Sequence, residues 1–136
     1  VFAPTIGLHI GLEPFLVIAL VTFLIAFSLT ALGFAIAWRM ESSQGFHAII
    51  NLFLSPLWML SGALFPVSGA SGWLKMLMRI NPLTYGMDAL LLTLFPAAPA
   101  TTLALWPSIG VLAAFAALVF AAGFMIANRR STVPAA

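Results

Sequence analysis

Gln44, His47, Asn51 and Ser55 follow one another at spacings of three, four and four residues, which places them on one face of an α-helix. A ladder of amide, imidazole and hydroxyl groups can trade hydrogen bonds with a molecule passing along it, so the stripe is a candidate lining for a translocation path. The same groups could instead bond to a neighbouring helix, a common use of Asn, His and Ser in apolar surroundings, and both uses stay open. His47 lies only one turn inside its apolar segment, where it could also face headgroups. Asp88, three residues after Tyr85, is a second candidate. An acid in an apolar stretch is a functional candidate by its cost alone, although pairing with Lys75 or Arg79 would give it a purely structural role. In the polar stretch Arg39–Gln44, Glu41 beside Arg39 reads as a solvated pair or as a contact for a partner. No lysine-containing phosphate loop, zinc-type helix motif or Ser/His/Asp cluster is present. The chain is therefore read as no enzyme, with no catalytic, metal or cofactor site.

The elements that must carry these residues are set by composition. Hydrophobic residues make up 63% of the 136 and charged residues 6%, with a mean hydropathy of +1.17. A water-soluble domain carries about 25% charged residues, so lipid must surround most of this chain. The net charge of +2 comes from scattered residues, with no basic run to hold nucleic acid. Cysteine is absent, which excludes disulfides and thiolate metal sites. No signal-peptide layout is visible. Val1 already sits in apolar sequence, and the chain is expected to be part of a longer protein.

Three segments are long and apolar enough to span: about 15–38, 46–67 and 103–128. Phe15–Trp38 holds no charge, and its roughly 24 residues reach about 36 Å against a hydrocarbon core of about 30 Å. Pro14 suits the first turn of that helix, and residues 1–13 read as a loop or interfacial approach. Arg39, Glu41 and Gln44 form a hinge that turns the chain back. Pro56 should kink the second span, with its freed carbonyl satisfied by Ser55 or a neighbouring helix. Small residues suggest packing faces, Ala26-Thr30-Gly33-Ala37 on the first span and Gly110-Ala113-Ala117-Ala121 on the last.

Residues 72–95 do not fit as a fourth span. Three charges near a helix centre cost about 2.5–3.5 kcal/mol each, and nine Leu, Ile and Phe residues return only about 4 kcal/mol. Two short helices are expected instead, split at Asn81-Pro82 with Asn81 as N-cap, lying at the interface or dipping in and returning. With three spans, Arg39 and Arg129-Arg130 share one face, which the positive-inside rule makes cytoplasmic. The fold class is thus all-α: a polytopic membrane protein with three transmembrane helices and a pair of short outer-face re-entrant helices.

Three runs carry a resemblance: Glu41-Ser-Ser-Gln-Gly-Phe-His-Ala-Ile-Ile-Asn51, Ser55-Pro-Leu-Trp-Met-Leu-Ser-Gly-Ala-Leu-Phe-Pro66 and Ile80-Asn-Pro-Leu-Thr-Tyr-Gly-Met-Asp-Ala-Leu90. In this order they resemble the C-terminal half of type-2 ABC transporter permeases, the membrane subunits of drug, polysaccharide and lipid exporters; the daunorubicin-resistance type looks closest. The resemblance covers most of the chain, and implies that residues 1–136 form the C-terminal part of a multi-pass transmembrane domain in the plasma (cell inner) membrane. It further implies a second permease copy, homo- or heterodimeric, and a separate ABC ATP-binding subunit holding ATP and Mg. The family often has Arg where Leu91 stands here, so a local ion pair of the usual kind at Asp88 is not carried over. On this reading a hydrophobic or amphipathic substrate leaves by alternating access, with His47, Asn51 and Ser55 on its path, Tyr85 and Asp88 at an outer gate, and Arg39, Glu41 and Gln44 in a cytoplasmic hinge. An ion-coupled secondary transporter is the alternative, disfavoured by the lack of mid-depth carboxylates in the three spans; a membrane assembly subunit without transport is another.

Overall fold

A computed structural model describes residues 11–64, 67–96 and 102–131, without the side chains of Ser68, Arg129, Arg130 and Ser131. Residues 1–10 of the loop expected over 1–13, and residues 65–66 near the expected end of the second span, lie outside the described residues. The described chain is all-helical. It contains α1 (Leu12–Ala37), α2 (Ser43–Trp58) running into a π-helical turn (Met59–Ala63), a 3-10 turn (Val67–Gly69), α3 (Gly72–Ile80), α4 (Pro82–Leu94) and α5 (Leu105–Ser131). Among the described residues, three helical stretches are long and apolar enough to cross a membrane, Leu12–Ala37, Ser43–Ala63 and Leu105–Asn128, whose most apolar 18 residues have mean hydropathies of 2.7, 1.3 and 2.5. Large apolar side chains face outward, Phe23 at 62% exposure and Leu118 at 70%, which suits helices that meet lipid on their outer surface.

α1 and α5 lie side by side and parallel. Near their starts Val21 packs with Ile109 and Leu112. Further along, the rings of Phe27 and Phe120 stand 5.5 Å apart, and beyond them Gly123 lies under Phe34 and Ala35. The ends of α1 and α5 therefore share one end of the bundle, together with the start of α2. α4 packs against the first halves of both long helices, and Ala89 completes the core with Val21, Ile109 and Leu112. Two buried hydroxyls sit at these faces. Ser28 donates to the carbonyls of Leu24 (2.6 Å) and Ile25 (3.0 Å), and Ser108 donates to that of Leu103 (3.4 Å). Each satisfies itself within its own segment and so can face an apolar neighbour.

Several local expectations need correction. α1 starts at Leu12, ahead of Pro14, with Gly11 as N-cap and Glu13 in the first turn. There the acid faces the positive end of the helix dipole, and Pro14 still falls among residues whose N–H has no intrahelical acceptor. Gln44 belongs to the first turn of α2 and not to the hinge, because Ser42 caps that helix by accepting from the Gly45 N–H at 3.2 Å. α5 begins at Leu105. The small-residue faces are not the contact faces within this chain: a Cβ added to Gly33 or Gly110 would meet nothing within 4 Å, and Ala26, Thr30, Ala117 and Ala121 are exposed. Contact falls instead on Val21 and Ser28 of α1 and on Ile109, Leu112 and Ala116 of α5.

Gly86 sets how closely α4 approaches the long helices. A Cβ there would stand 2.9 Å from Ile25 Cδ1, 3.0 Å from Ile25 Cγ1 and 3.4 Å from Leu112 Cδ2. Gly86→Val should cost about 1–3 kcal/mol through overpacking, whereas Gly33→Ala should stay within about 0.5 kcal/mol of wild type. Unfolding of the full-length protein in mixed micelles titrated with SDS measures both.

Candidate functional site: the broken end of α2 and the α3–α4 hairpin

α2 stays helical through Pro56. It continues as α-helix to Trp58 and then widens into the π turn, which ends around Gly62. Gly62 has φ +93°, the one positive φ among the described residues, and that conformation favours glycine because it has no Cβ to clash. Ser61 donates to the Trp58 carbonyl at 2.7 Å. Where the α-helical ladder changes and stops, carbonyls of the last turns lose their regular donors, and in hydrocarbon no water replaces them.

The donors come from the start of α4. Asn81 Nδ2 donates to the Leu57 carbonyl at 2.6 Å, and Thr84 Oγ1 donates to the Leu60 carbonyl at 3.1 Å. Asn81 also caps its own helix, its Oδ1 accepting from the Leu83 N–H at 3.0 Å with Pro82 at the first helical position. One amide thus closes two helix ends. Both Asn81 and Thr84 are buried. Tyr85 donates its hydroxyl to the Arg79 carbonyl at 2.6 Å, tying the last turn of α3 to α4. Every polar side chain of the run Asn81-Pro-Leu-Thr-Tyr85 therefore holds a backbone carbonyl of a neighbouring element.

These bonds fix how deep the hairpin sits. Leu57 lies about 21 Å along α2 from Ser43, and Ile25, which meets Gly86, lies about 20 Å along α1 from Leu12. The Asn81-Pro82 tip thus lies beside the interior of both apolar helices, away from their ends. α4 then climbs back until Leu92–Leu94 stand beside Glu13 and Pro14. Met78 anchors α3 near Gly62, while Trp73, Met76 and Ile80 are exposed. This geometry is a re-entrant pair that enters and leaves on the side opposite Arg39.

A family model of the ABC-2 type transporter matches residues 1–95, which takes in α1, α2 and the whole hairpin. The chain belongs to the ABC-2 type transporter family. No curated protein and no solved structure matches it. It is accordingly a membrane permease component of an ABC transporter, multi-pass and engaged in transport rather than catalysis.

Within the permease the candidate residues form two separate groups. Gln44, His47, Asn51 and Ser55 are all exposed along α2, none of whose residues is buried; the His47 ring lies against Phe46. Tyr85 and Asp88 stand on α4. Asp88 is buried, and its carboxylate accepts from the Thr102 hydroxyl, across the connection to α5. That bond takes the place of the expected pairing with Lys75 or Arg79; Arg79 is exposed at the end of α3. Arg39 and Glu41 are exposed in the turn between α1 and α2. The sequence reading missed Thr84, Ser61 and Thr102. Thr84 was findable, since it stands one turn after the Asn81 cap on the face that Asp88 continues. Thr102 gave no local signal, because its partner lies 14 positions away.

Thr84→Val removes one interhelical bond at nearly constant volume, and should destabilise the full-length permease by about 0.6–1.7 kcal/mol. Asn81→Ala also removes a helix cap worth about 1 kcal/mol, and should cost more. Because both bonds cross one contact, the double variant should cost less than the sum. SDS-titrated unfolding reads all three.

Proposed function

We propose that this permease is the membrane subunit of an ATP-driven exporter, moving a hydrophobic or amphipathic substrate by alternating access. The observation that carries the reading is the bare polar face of α2. A residue set of amide, imidazole and hydroxyl groups is costly against lipid, and no residue of α2 is buried inside this chain. A second permease copy, or a water-accessible path between two copies, would relieve that cost. His47, Asn51 and Ser55 then face the substrate, spread over about 12 Å of helix.

Tyr85 and Asp88 belong to the outer gate as supports. Their hydroxyl and carboxylate are engaged with Arg79 and Thr102, so they would hold the re-entrant pair in shape, and substrate would pass beside it. Arg39 and Glu41, exposed in the turn, would form the hinge on the cytoplasmic side, with Gln44 at the foot of α2. The C-terminus lies on the same side, supported by the parallel run of α1 and α5 and by the positive-inside rule. ATP and Mg would sit on a separate ABC ATP-binding subunit, to which this chain contributes no catalytic residue.

Asn51→Ala with Ser55→Ala should lower ATP-driven export by an order of magnitude, each lost hydrogen bond in the path being worth about 0.5–1.5 kcal/mol, with membrane expression unchanged. Full export at normal expression overturns the path assignment. Co-purification of the full-length protein with a soluble ATPase checks the partner, and transport driven by an ion gradient without ATP would replace the reading altogether.

A further inference from the structure

A second apolar feature lies away from α2. Between the later halves of α1 and α5 runs a groove of about 410 Å³. Its floor is small, Ala31 and Gly123, and its walls are the rings of Phe27, Phe34, Phe120 and Phe124. At the deep end Phe27 and Phe120 meet at 5.5 Å and close it. At the other end Trp38 extends the wall, its ring 5.2 Å from that of Phe34, and the exposed Arg39 follows.

Length and charge select the occupant. The lined groove runs about 10 Å from Phe27 to Phe34, and the Trp38 ring stacked on Phe34 carries its wall to about 17 Å, close to the ~15 Å that one leaflet contributes to the hydrocarbon core. An object that starts at the interface and stops at mid-bilayer matches it; a transmembrane helix, which must continue across, does not. The blind end is apolar, and the mouth carries an interfacial indole with a cation beside it. That is the layout of one acyl chain below an anionic headgroup. We propose that the α1–α5 groove seats a phospholipid of net negative charge from the leaflet on the Arg39 side, its chain between the phenylalanine walls and its phosphate at Arg39. The seat uses none of the polar residues of α2 and holds whether or not those residues line an export path.

The test reads Trp38, in the full chain with all other tryptophans replaced by phenylalanine. The protein is reconstituted in phosphatidylcholine bilayers, with brominated phosphatidylglycerol or brominated phosphatidylcholine titrated in as quencher. Phosphatidylglycerol should quench Trp38 at several-fold lower mole fraction than phosphatidylcholine. Arg39→Gln should lower that preference about five-fold. Thr30→Phe fills the groove from its exposed edge without changing charge, and Phe124→Ala removes a wall at an exposed position. Each should weaken quenching by phosphatidylglycerol several-fold, which diffuse attraction to a basic surface would not do. Equal quenching by the two lipids overturns the proposal. So does a phosphatidylglycerol preference that survives both groove variants, which would mark surface attraction only. Quenching by neither lipid overturns it too, and would mean that another helix covers the groove.

Discussion

A peptide carbonyl with no donor costs several kcal/mol in hydrocarbon, and the half of this permease away from Arg39 is arranged around that cost. α2 cannot carry its α-helical ladder across the bilayer: it holds Pro56, opens into a π turn at Met59–Ala63 and breaks at Gly62, φ +93°. The carbonyls of Leu57 and Leu60 are then met by Asn81 and Thr84. A hairpin tip that sat higher would leave Leu57 without its partner, so the depth of re-entry follows from where α2 changes its winding. The break and the hairpin are coupled, since the α2 carbonyls of Leu57 and Leu60 take their donors from Asn81 and Thr84, which find their own acceptors there.

Once the tip is fixed, the rest of α4 has a defined course. Its first turn lies against α2, Gly86 brings it onto Ile25 and Leu112, and Asp88 meets Thr102 ahead of α5. α4 thereby joins three elements that are remote in sequence, at a depth where the buried core of Val21, Ala89, Ile109 and Leu112 also lies. The later halves of α1 and α5 have no such wedge between them. They touch through Gly123 and the alanines of α1, and their phenylalanines stand to the side, which is why the packing there leaves a groove. Tight packing in one half and an open groove in the other both follow from α4 packing only against their first halves.

How much of this could be read from residue order depends on the range of each interaction. Asn81 as N-cap with Pro82 behind it is local chemistry, and the split of residues 72–95 into two helices followed from the cost of Lys75, Arg79 and Asp88 in lipid. The membrane class followed from composition. What stayed hidden was azimuth and long-range pairing. Both α1 and α5 are rich in small residues all round, so the rows through Ala26 and Gly110 looked as suitable as those through Ser28 and Ala116, and only the position of α4 selects between them. The π turn at Met59–Ala63 went unseen for a related reason. A proline advertises a lost donor, but a helix can absorb that loss while a π turn one turn later, which no single residue type announces, creates the carbonyls that matter.

The same accounting separates the two polar groups that looked alike in the sequence. Asn81, Thr84, Tyr85 and Asp88 each hold a named partner within the chain, so their polarity is spent on shape. Gln44, His47, Asn51 and Ser55 share a helix face of the same chemical make-up, yet they are exposed on a helix that buries none of its residues. In lipid, polar side chains persist where they meet protein or water. Anything that must cross the bilayer beside this chain therefore finds its least costly polar contacts along α2. If α2 lines a path as proposed, the hairpin bound at Leu57 and Leu60 marks the end of that helix face opposite Arg39.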